Sequence, residues 1–373
     1  MKIIIAPDKF KGSLTAFEVC RSVEAGIKSI DKSIETISFP MADGGDGFAS
    51  ILQAYLHTET IFCKTVDPLG RAIDATYQWN EKTKTAIIEM AVASGLVLLK
   101  SNERNPFLTS TYGTGLLIKD AINKGADKII LGIGGSATND GGIGILEAMG
   151  FILKDESGKT LKGNGESLNK ITSIVAPSLK DVKFEIACDV QNTLYGPGGA
   201  SFVYSPQKGA DKEQVRILDD GLKNLAKVLL KETGKSIANI PGTGAAGGIA
   251  ASLLCYFDTE LKQGIDMVID ASGINGAFNN ASLVITGEGK IDHQSLDGKV
   301  IGKIASMANE KNIPVVAFCG RLELTTNEIQ GTGLAEVYTI GESLSVEESM
   351  KNAGRLLTEK AKIKVKEFID RFK

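Results

Sequence analysis

Met1-Lys2-Ile3-Ile4-Ile5-Ala6-Pro7-Asp8-Lys9-Phe10-Lys11-Gly12-Ser13 opens the chain and decides its fold. Residues 2 to 6 form a short apolar run, after which Leu14, Phe17, Val19, Val23 and Ile27 recur at helical spacing as far as Ile30. Ser13 or Thr15 is placed to cap that helix. Strand, polar loop and helix then repeat. Glu35 to Phe39 predicts a strand ending in Pro40-Met41-Ala42-Asp43-Gly44-Gly45-Asp46-Gly47, with a helix running on to about Leu56. Near the C-terminus, Ser282 to Ile285 predicts a strand feeding the loop Thr286-Gly287-Glu288-Gly289-Lys290-Ile291-Asp292. A helix over Val300 to Asn309 and strands at Val315 to Cys319 and Val337 to Ile340 follow. Apolar strands separated by helices predict five parallel strands in the doubly wound, flavodoxin-like arrangement.

Between these ends the rhythm changes. Thr60 to Val66, Ala72 to Trp79 and Thr85 to Met90 read as strands joined by the turns Asp67-Pro68-Leu69-Gly70 and Asn80 to Lys84, which are short enough to demand antiparallel neighbours. A helix over Gly115 to Asn123, a strand over Lys128 to Ile133, and strands near Phe184 to Cys188 and Phe202 to Tyr204 complete a mixed sheet. The expected fold class is α/β: a flavodoxin-like parallel-sheet domain (1–65 and 282–373) with a second mixed-sheet α/β domain (66–281) inserted. The active site is expected in the cleft between them. A length of 373 residues supports two domains, since single cores stop growing near ~250 to 300 residues.

Composition removes several functions. A net charge of -3 and the lack of a basic run interleaved with aromatics argue against a nucleic-acid partner. No apolar stretch reaches the roughly 18 residues of a membrane span, and the opening segment does not read as a signal peptide, so a cytoplasmic enzyme is expected. Cys20, Cys63, Cys188, Cys255 and Cys319 are odd in number and widely spaced, which fits reduced thiols. Only His57 and His293 accompany them, an unpromising set for structural zinc.

The 42 glycines cluster in loops. Gly132-Ile133-Gly134-Gly135-Ser136-Ala137-Thr138-Asn139-Asp140-Gly141-Gly142 lies between a strand and a helix, where backbone N–H groups can converge on a phosphate; a tight turn needing glycine only for its dihedral angles is the plain alternative. Pro241-Gly242-Thr243-Gly244-Ala245-Ala246-Gly247-Gly248 contains G-x-G-x-x-G, but no strand precedes it, and its small residues equally suit close packing. Walker chemistry is excluded, because Leu153 and Leu229 occupy the first-glycine positions before Gly158-Lys159-Thr160 and Gly234-Lys235-Ser236. Protein-kinase signatures are also missing.

Asp8-Lys9-Phe10-Lys11-Gly12-Ser13, Asp43-Gly44-Gly45-Asp46 and the Glu288/Lys290/Asp292 group fall at strand C-terminal ends, where open α/β sheets bind ligands. Their carboxylates suit Mg²⁺ or a hydroxyl proton, and their lysines suit an anion. Asp189 ends another strand as a buried-looking candidate base or metal ligand, and Lys208, in Pro206-Gln207-Lys208-Gly209-Ala210, is a candidate phosphate contact. A helix cap with solvated lysines is the alternative for the first loop, Asx-type turns for the acidic loops, and a turn-capping aspartate for Asp189.

Taken together the motifs resemble the bacterial (type 1) glycerate kinase family of the glyoxylate and glucarate pathways. They are Pro7 to Ser13, Met41 to Gly47, Asp67 to Arg71, Thr111 to Gly115, Gly132 to Gly142, Ala187 to Val190, Pro206 to Ala210 and Thr286 to Asp292, in that order. Lys9, Asp46 and Thr193 depart from the family's commoner Ser, Glu and Pro. The resemblance implies ATP and Mg²⁺, D-glycerate as acceptor and 2-phosphoglycerate as the usual product, with 3-phosphoglycerate as the alternative. On that basis Gly134, Gly135, Ser136, Thr138, Asn139 and Asp140 are assigned to ATP, and Asp189, Glu288 and Asp292 to the metal. Asp189, Lys11, Asp43 and Lys290 are assigned to catalysis, and Asp8, Lys11, Ser13, Arg71 and Lys208 to substrate. Two rivals from other classes remain: an NAD-dependent reductase using a glycine-rich loop, and a sugar-acid-binding protein without catalysis. A homodimer is compatible with the sequence but not demanded by it.

Overall fold

The computed structural model describes residues 1–371 apart from Asp46, Leu179, Asp297, Gly298 and Ser343. Among the described residues the strands are, in chain order, β1 (Lys2–Ile5), β2 (Glu35–Ser38), β3 (Glu59–Val66), β4 (Ala72–Asn80), β5 (Thr85–Glu89), β6 (Lys128–Gly132), β7 (Ile152–Lys154), β8 (Thr160–Leu161), β9 (Ser173–Val175), β10 (Lys183–Ala187), β11 (Asp258–Lys262), β12 (Leu283–Ile291), β13 (Val315–Leu322) and β14 (Glu336–Thr339). The chain divides into two compact units, one of Met1–Asp43 with Ile265–Lys373, the other of Gly44–Gly264.

The first unit carries a five-stranded sheet in the order β14-β13-β12-β1-β2, parallel throughout. Numbered within the unit this is 2-1-3-4-5, the flavodoxin order. The first helix, Ala16–Lys28, is capped by Thr15, whose hydroxyl accepts from the Glu18 N–H while the Glu18 side chain returns to the Thr15 N–H. It buries Val19, Val23 and Ile27 beside Leu357, Ala361 and Val365 of the helix Ala353–Asp370. Each of these Val, Ile and Leu side chains is worth roughly 1.5–3 kcal/mol of burial. At their closest approach a Cβ on Gly26 would lie 2.6 Å from the Thr358 carbonyl oxygen, so the contact needs glycine.

The predicted loop Thr286 to Asp292 is different in the structure: β12 continues to Ile291, pairing along its whole length with β13. The glycines serve close approach. A Cβ on Gly287 would meet the Phe318 carbonyl at 2.3 Å, and one on Gly289 the Lys11 nitrogen at 2.9 Å. The motif is therefore an extended ribbon laid against the Lys9–Gly12 turn.

The second unit holds a six-stranded sheet, β11-β10-β6-β5-β4-β3, antiparallel across β3, β4 and β5 and parallel from β5 to β11, and a small sheet of β8, β7 and β9. Phe202 to Tyr204, expected as strand, lies in the helix Ala200–Tyr204. Its aromatic and β-branched residues have strand propensity, but Phe202 and Val203 point outward, so packing rather than propensity sets the state. The longest helix, Lys212–Thr233, carries its own signals: an Asp211–Gln214 capping box and Gly234 in the left-handed region at its end.

Candidate functional sites

In the first unit, acids gather at the C-terminal ends of β1 and β12. Asp8 is 6% exposed and is fixed by its N–H on the Gly287 carbonyl at 2.8 Å; its Oδ1 accepts the Lys9 N–H at 2.6 Å. Burial is the main cause that raises its pKa to about 6; Lys9 opposes the rise and Asp43 adds to it. Glu288 is pushed up to about 7, again chiefly by burial, with a Ser295 hydrogen bond opposing and Asp8 and Asp43 adding. Among the described residues its Oε1 is buried without a hydrogen-bond partner. Lys299 lies 3.9 Å from Asp43. The structure thus brings Asp8, Asp43 and Glu288 into one electrostatic neighbourhood.

Other candidates in this unit are engaged locally. Lys290 is half exposed between Asp292 (2.8 Å) and Glu323 (3.1 Å), and Asp292 Oδ1 accepts the Ser295 N–H at 3.3 Å. Ser13 closes a turn by donating to the Phe10 carbonyl at 3.1 Å, while Lys11 is exposed beside it.

The residues fit a magnesium ion. A buried carboxylate oxygen without a donor, next to two like charges, is stabilised by a cation. Among the described residues no three acidic, histidine or cysteine side chains enclose a metal by themselves. Mg²⁺ suits that arrangement, because it binds through one or two carboxylates and completes its shell with water and substrate phosphates.

In the second unit the glycine-rich segment leaves β6 and enters the helix Ile143–Ala148, which spans only six residues, so its dipole offers little and any donors must come from the loop. Gly135, Gly141 and Gly142 have φ of +71°, +63° and +80°, which reverse the chain sharply. The Leu96 N–H donates to the Gly135 carbonyl (2.8 Å) and the Ala137 N–H to the Ser94 carbonyl (2.9 Å). Asn139 donates to the Ser201 hydroxyl at 3.2 Å and accepts from Ser205 at 2.9 Å. Asp140, wholly buried, accepts from the Thr111 N–H and hydroxyl and from the Gly142 N–H at 2.7 to 3.0 Å. Burial raises its pKa while those bonds oppose the rise. Asn139 and Asp140, assigned to ATP from sequence, thus turn these bonds inward and brace the loop. Ser136 is 8% exposed, and Thr138 Oγ1 is buried with no partner among the described residues.

The second glycine-rich loop buttresses the first. The Gly141 N–H donates to the Gly247 carbonyl at 3.0 Å, and a Cβ on Gly247 would lie 2.0 Å from the Thr138 carbonyl oxygen. Close packing, rather than dinucleotide binding, accounts for its G-x-G-x-x-G.

Three sequence expectations change in this unit. Asp189 is exposed, not buried, with Oδ1 accepting the Gly264 N–H at 2.9 Å. Gly44 lies close by, since a Cβ there would come 3.0 Å from Asp189 Oδ2, and Gly45 abuts Gly134. Arg71, expected to grip a substrate carboxylate, spends its guanidinium on Asp67 and on Glu103 at 2.7 Å. Lys208 is 2% exposed, its ammonium donating to Ser136 Oγ (2.6 Å) and the Thr138 carbonyl (2.7 Å), so it lies behind the loop. Asp46, the fourth residue of its motif, lies outside the described residues.

Comparison with known proteins places the chain among α/β kinases that phosphorylate a hydroxy acid. The model of the glycerate kinase family matches residues 3–368. A glycerate kinase of Halalkalibacterium halodurans is 40% identical, covering 96% of each chain, and the glycerate 2-kinase of Escherichia coli K12 is 39% identical, over 95% of this chain and 94% of its own. A crystal structure from Salmonella typhimurium LT2, provisionally named glycerate kinase 2, superposes with a TM-score of 0.88 at 36% identity, over 99% of this chain and 98% of its own. The chain belongs to the glycerate kinase family.

Proposed function

We propose that the enzyme transfers the γ-phosphoryl group of ATP to the C2 hydroxyl of D-glycerate, forming 2-phosphoglycerate. The C2 assignment is supported by the relative named glycerate 2-kinase, which aligns nearly end to end. For the residues, the observation that carries the proposal is the unpartnered buried oxygen of Glu288 beside Asp8 and Asp43. These acids, with Asp292 and Asp189 as the further candidates, would hold Mg²⁺, which when bound neutralises phosphate charge.

In the proposed assignment, Gly134, Gly135, Ser136 and Thr138 take the nucleotide phosphates through backbone N–H groups and two hydroxyls. Asp189, exposed at the end of β10, orients the acceptor hydroxyl and takes its proton, with Asp43 the second candidate. Lys11 meets the transferring phosphoryl or the acid carboxylate; Lys290, already between two carboxylates, is less available. Transfer of this kind needs alignment and charge neutralisation more than covalent help.

Phosphorus NMR of the product from D-glycerate and Mg-ATP tests the proposal. A 2-phosphoglycerate resonance is expected. 3-Phosphoglycerate alone would overturn the regiochemistry, and ATP left intact would overturn the activity.

A further inference from the structure

Lys208 donates to two acceptors, Ser136 Oγ at 2.6 Å and the Thr138 carbonyl at 2.7 Å, both in the glycine-rich loop and both reached from its buried side. No carboxylate accepts from it among the described hydrogen bonds, and Asp140, the charged group that acts on it, is already held by Thr111 and Gly142. Arg104 lies on the neighbouring segment, its backbone against Gly209. A hydroxyl that accepts from an ammonium keeps its own hydrogen for another partner. Ser136, at 8% exposure, has no other described hydrogen bond. The pinned Thr138 carbonyl likewise fixes the peptide plane that carries the Asn139 N–H.

We propose that Lys208 is a positioning residue that makes the glycine-rich loop a donor surface: by donating to Ser136 Oγ and the Thr138 carbonyl, it obliges the Ser136 hydroxyl to donate outward to a nucleotide phosphate. This rests on the loop being the nucleotide cradle and adds how its polarity is set. The ammonium itself makes no contact with the nucleotide. Burial lowers the Lys208 pKa to about 7, with Asp140 opposing, so the amine loses its proton in an accessible range. A neutral amine can accept from Ser136 and withdraw the hydroxyl from the ligand.

Steady-state kinetics of the full chain with D-glycerate and Mg-ATP separate the possibilities. Lys208→Met and Ser136→Ala should each raise KM for ATP about tenfold with little change in kcat, and the double variant should be no worse than Lys208→Met alone, since the Ser136 hydroxyl acts only as Lys208 orients it. Additive losses, or an unchanged KM in Lys208→Met, would overturn the inference. If Lys208→Met does not fold, the pH profile serves instead: KM for ATP of the native enzyme should rise above about pH 7 relative to Ser136→Ala, and parallel profiles would overturn it. Should Ser136→Ala and Thr138→Ala both bind ATP normally, the nucleotide assignment of the loop fails as well, which distinguishes that failure from failure of Lys208 alone.

Discussion

Two charged groups, the buried Lys208 and the partly buried Glu288, one in each unit, are held in opposite ways. Lys208 donates to two neutral acceptors of the glycine-rich loop and is satisfied within the protein. Glu288 sits near Asp8 and Asp43 with one oxygen unpartnered, so its surroundings penalise its charge. Both groups have pKa values moved toward the neutral form by burial, upward for the acid and downward for the amine. A charge satisfied by the fold shapes other groups, whereas one left incomplete invites a ligand of opposite sign.

Asp189 and Lys11 test this difference hardest, because both are exposed and belong to neither buried set. Asp189→Asn and Lys11→Ala should each lower kcat by more than about a hundredfold, the range expected when a proton acceptor or a charge-balancing group is lost, with the thermal midpoint unchanged. Near-normal turnover in either would remove that residue from the reaction and move the chemistry toward the buried acids.

A smaller effect sharpens the contrast at Glu288. Asp8 and Glu288 have folded-state pKa values of about 6 and about 7, above their ordinary values of 3.8 and 4.5, so the folded chain binds these protons more tightly. Their contribution is fully present below about pH 4 and is lost as pH rises through the folded values. Without Mg²⁺ the thermal midpoint should therefore fall between about pH 4 and about pH 7, and Glu288→Gln should flatten the upper part of that fall. Added Mg-ATP should recover more stability in the native enzyme than in the variant. An equal response would show that Glu288 does not face the metal-nucleotide.

The smallest effect is expected at Arg71. Its guanidinium is half exposed and already pairs with the buried Asp67 carboxylate and with the partly exposed Glu103. Arg71→Ala should leave KM for D-glycerate within about twofold, because the guanidinium is already occupied. A large rise would mean that it leaves these carboxylates for the substrate.

Much of the architecture was legible because strand and helix periodicity is a local property. The opening Lys2–Ile5 strand, the Thr15-capped helix and the hairpin around Asp67 to Gly70 all appear close to where their residue patterns place them. Glycine-rich stretches were less legible, since glycine serves a turn, a phosphate cradle and close packing alike. Thr286 to Ile291 became strand because its glycines admit Phe318 and the Lys9–Gly12 turn, partners far away in sequence.

By itself the sequence determined the alternation of strands and helices, the parallel first sheet and the family, because these depend on the order and spacing of side chains along the chain. Tertiary structure alone decided that Asp189 is exposed, that Arg71 is occupied, that Lys208 stands behind the glycine-rich loop and that one oxygen of Glu288 lacks a partner among the described residues. Burial, hydrogen-bond partnership and pKa depend on which distant residues fold beside a group, and no local pattern encodes that.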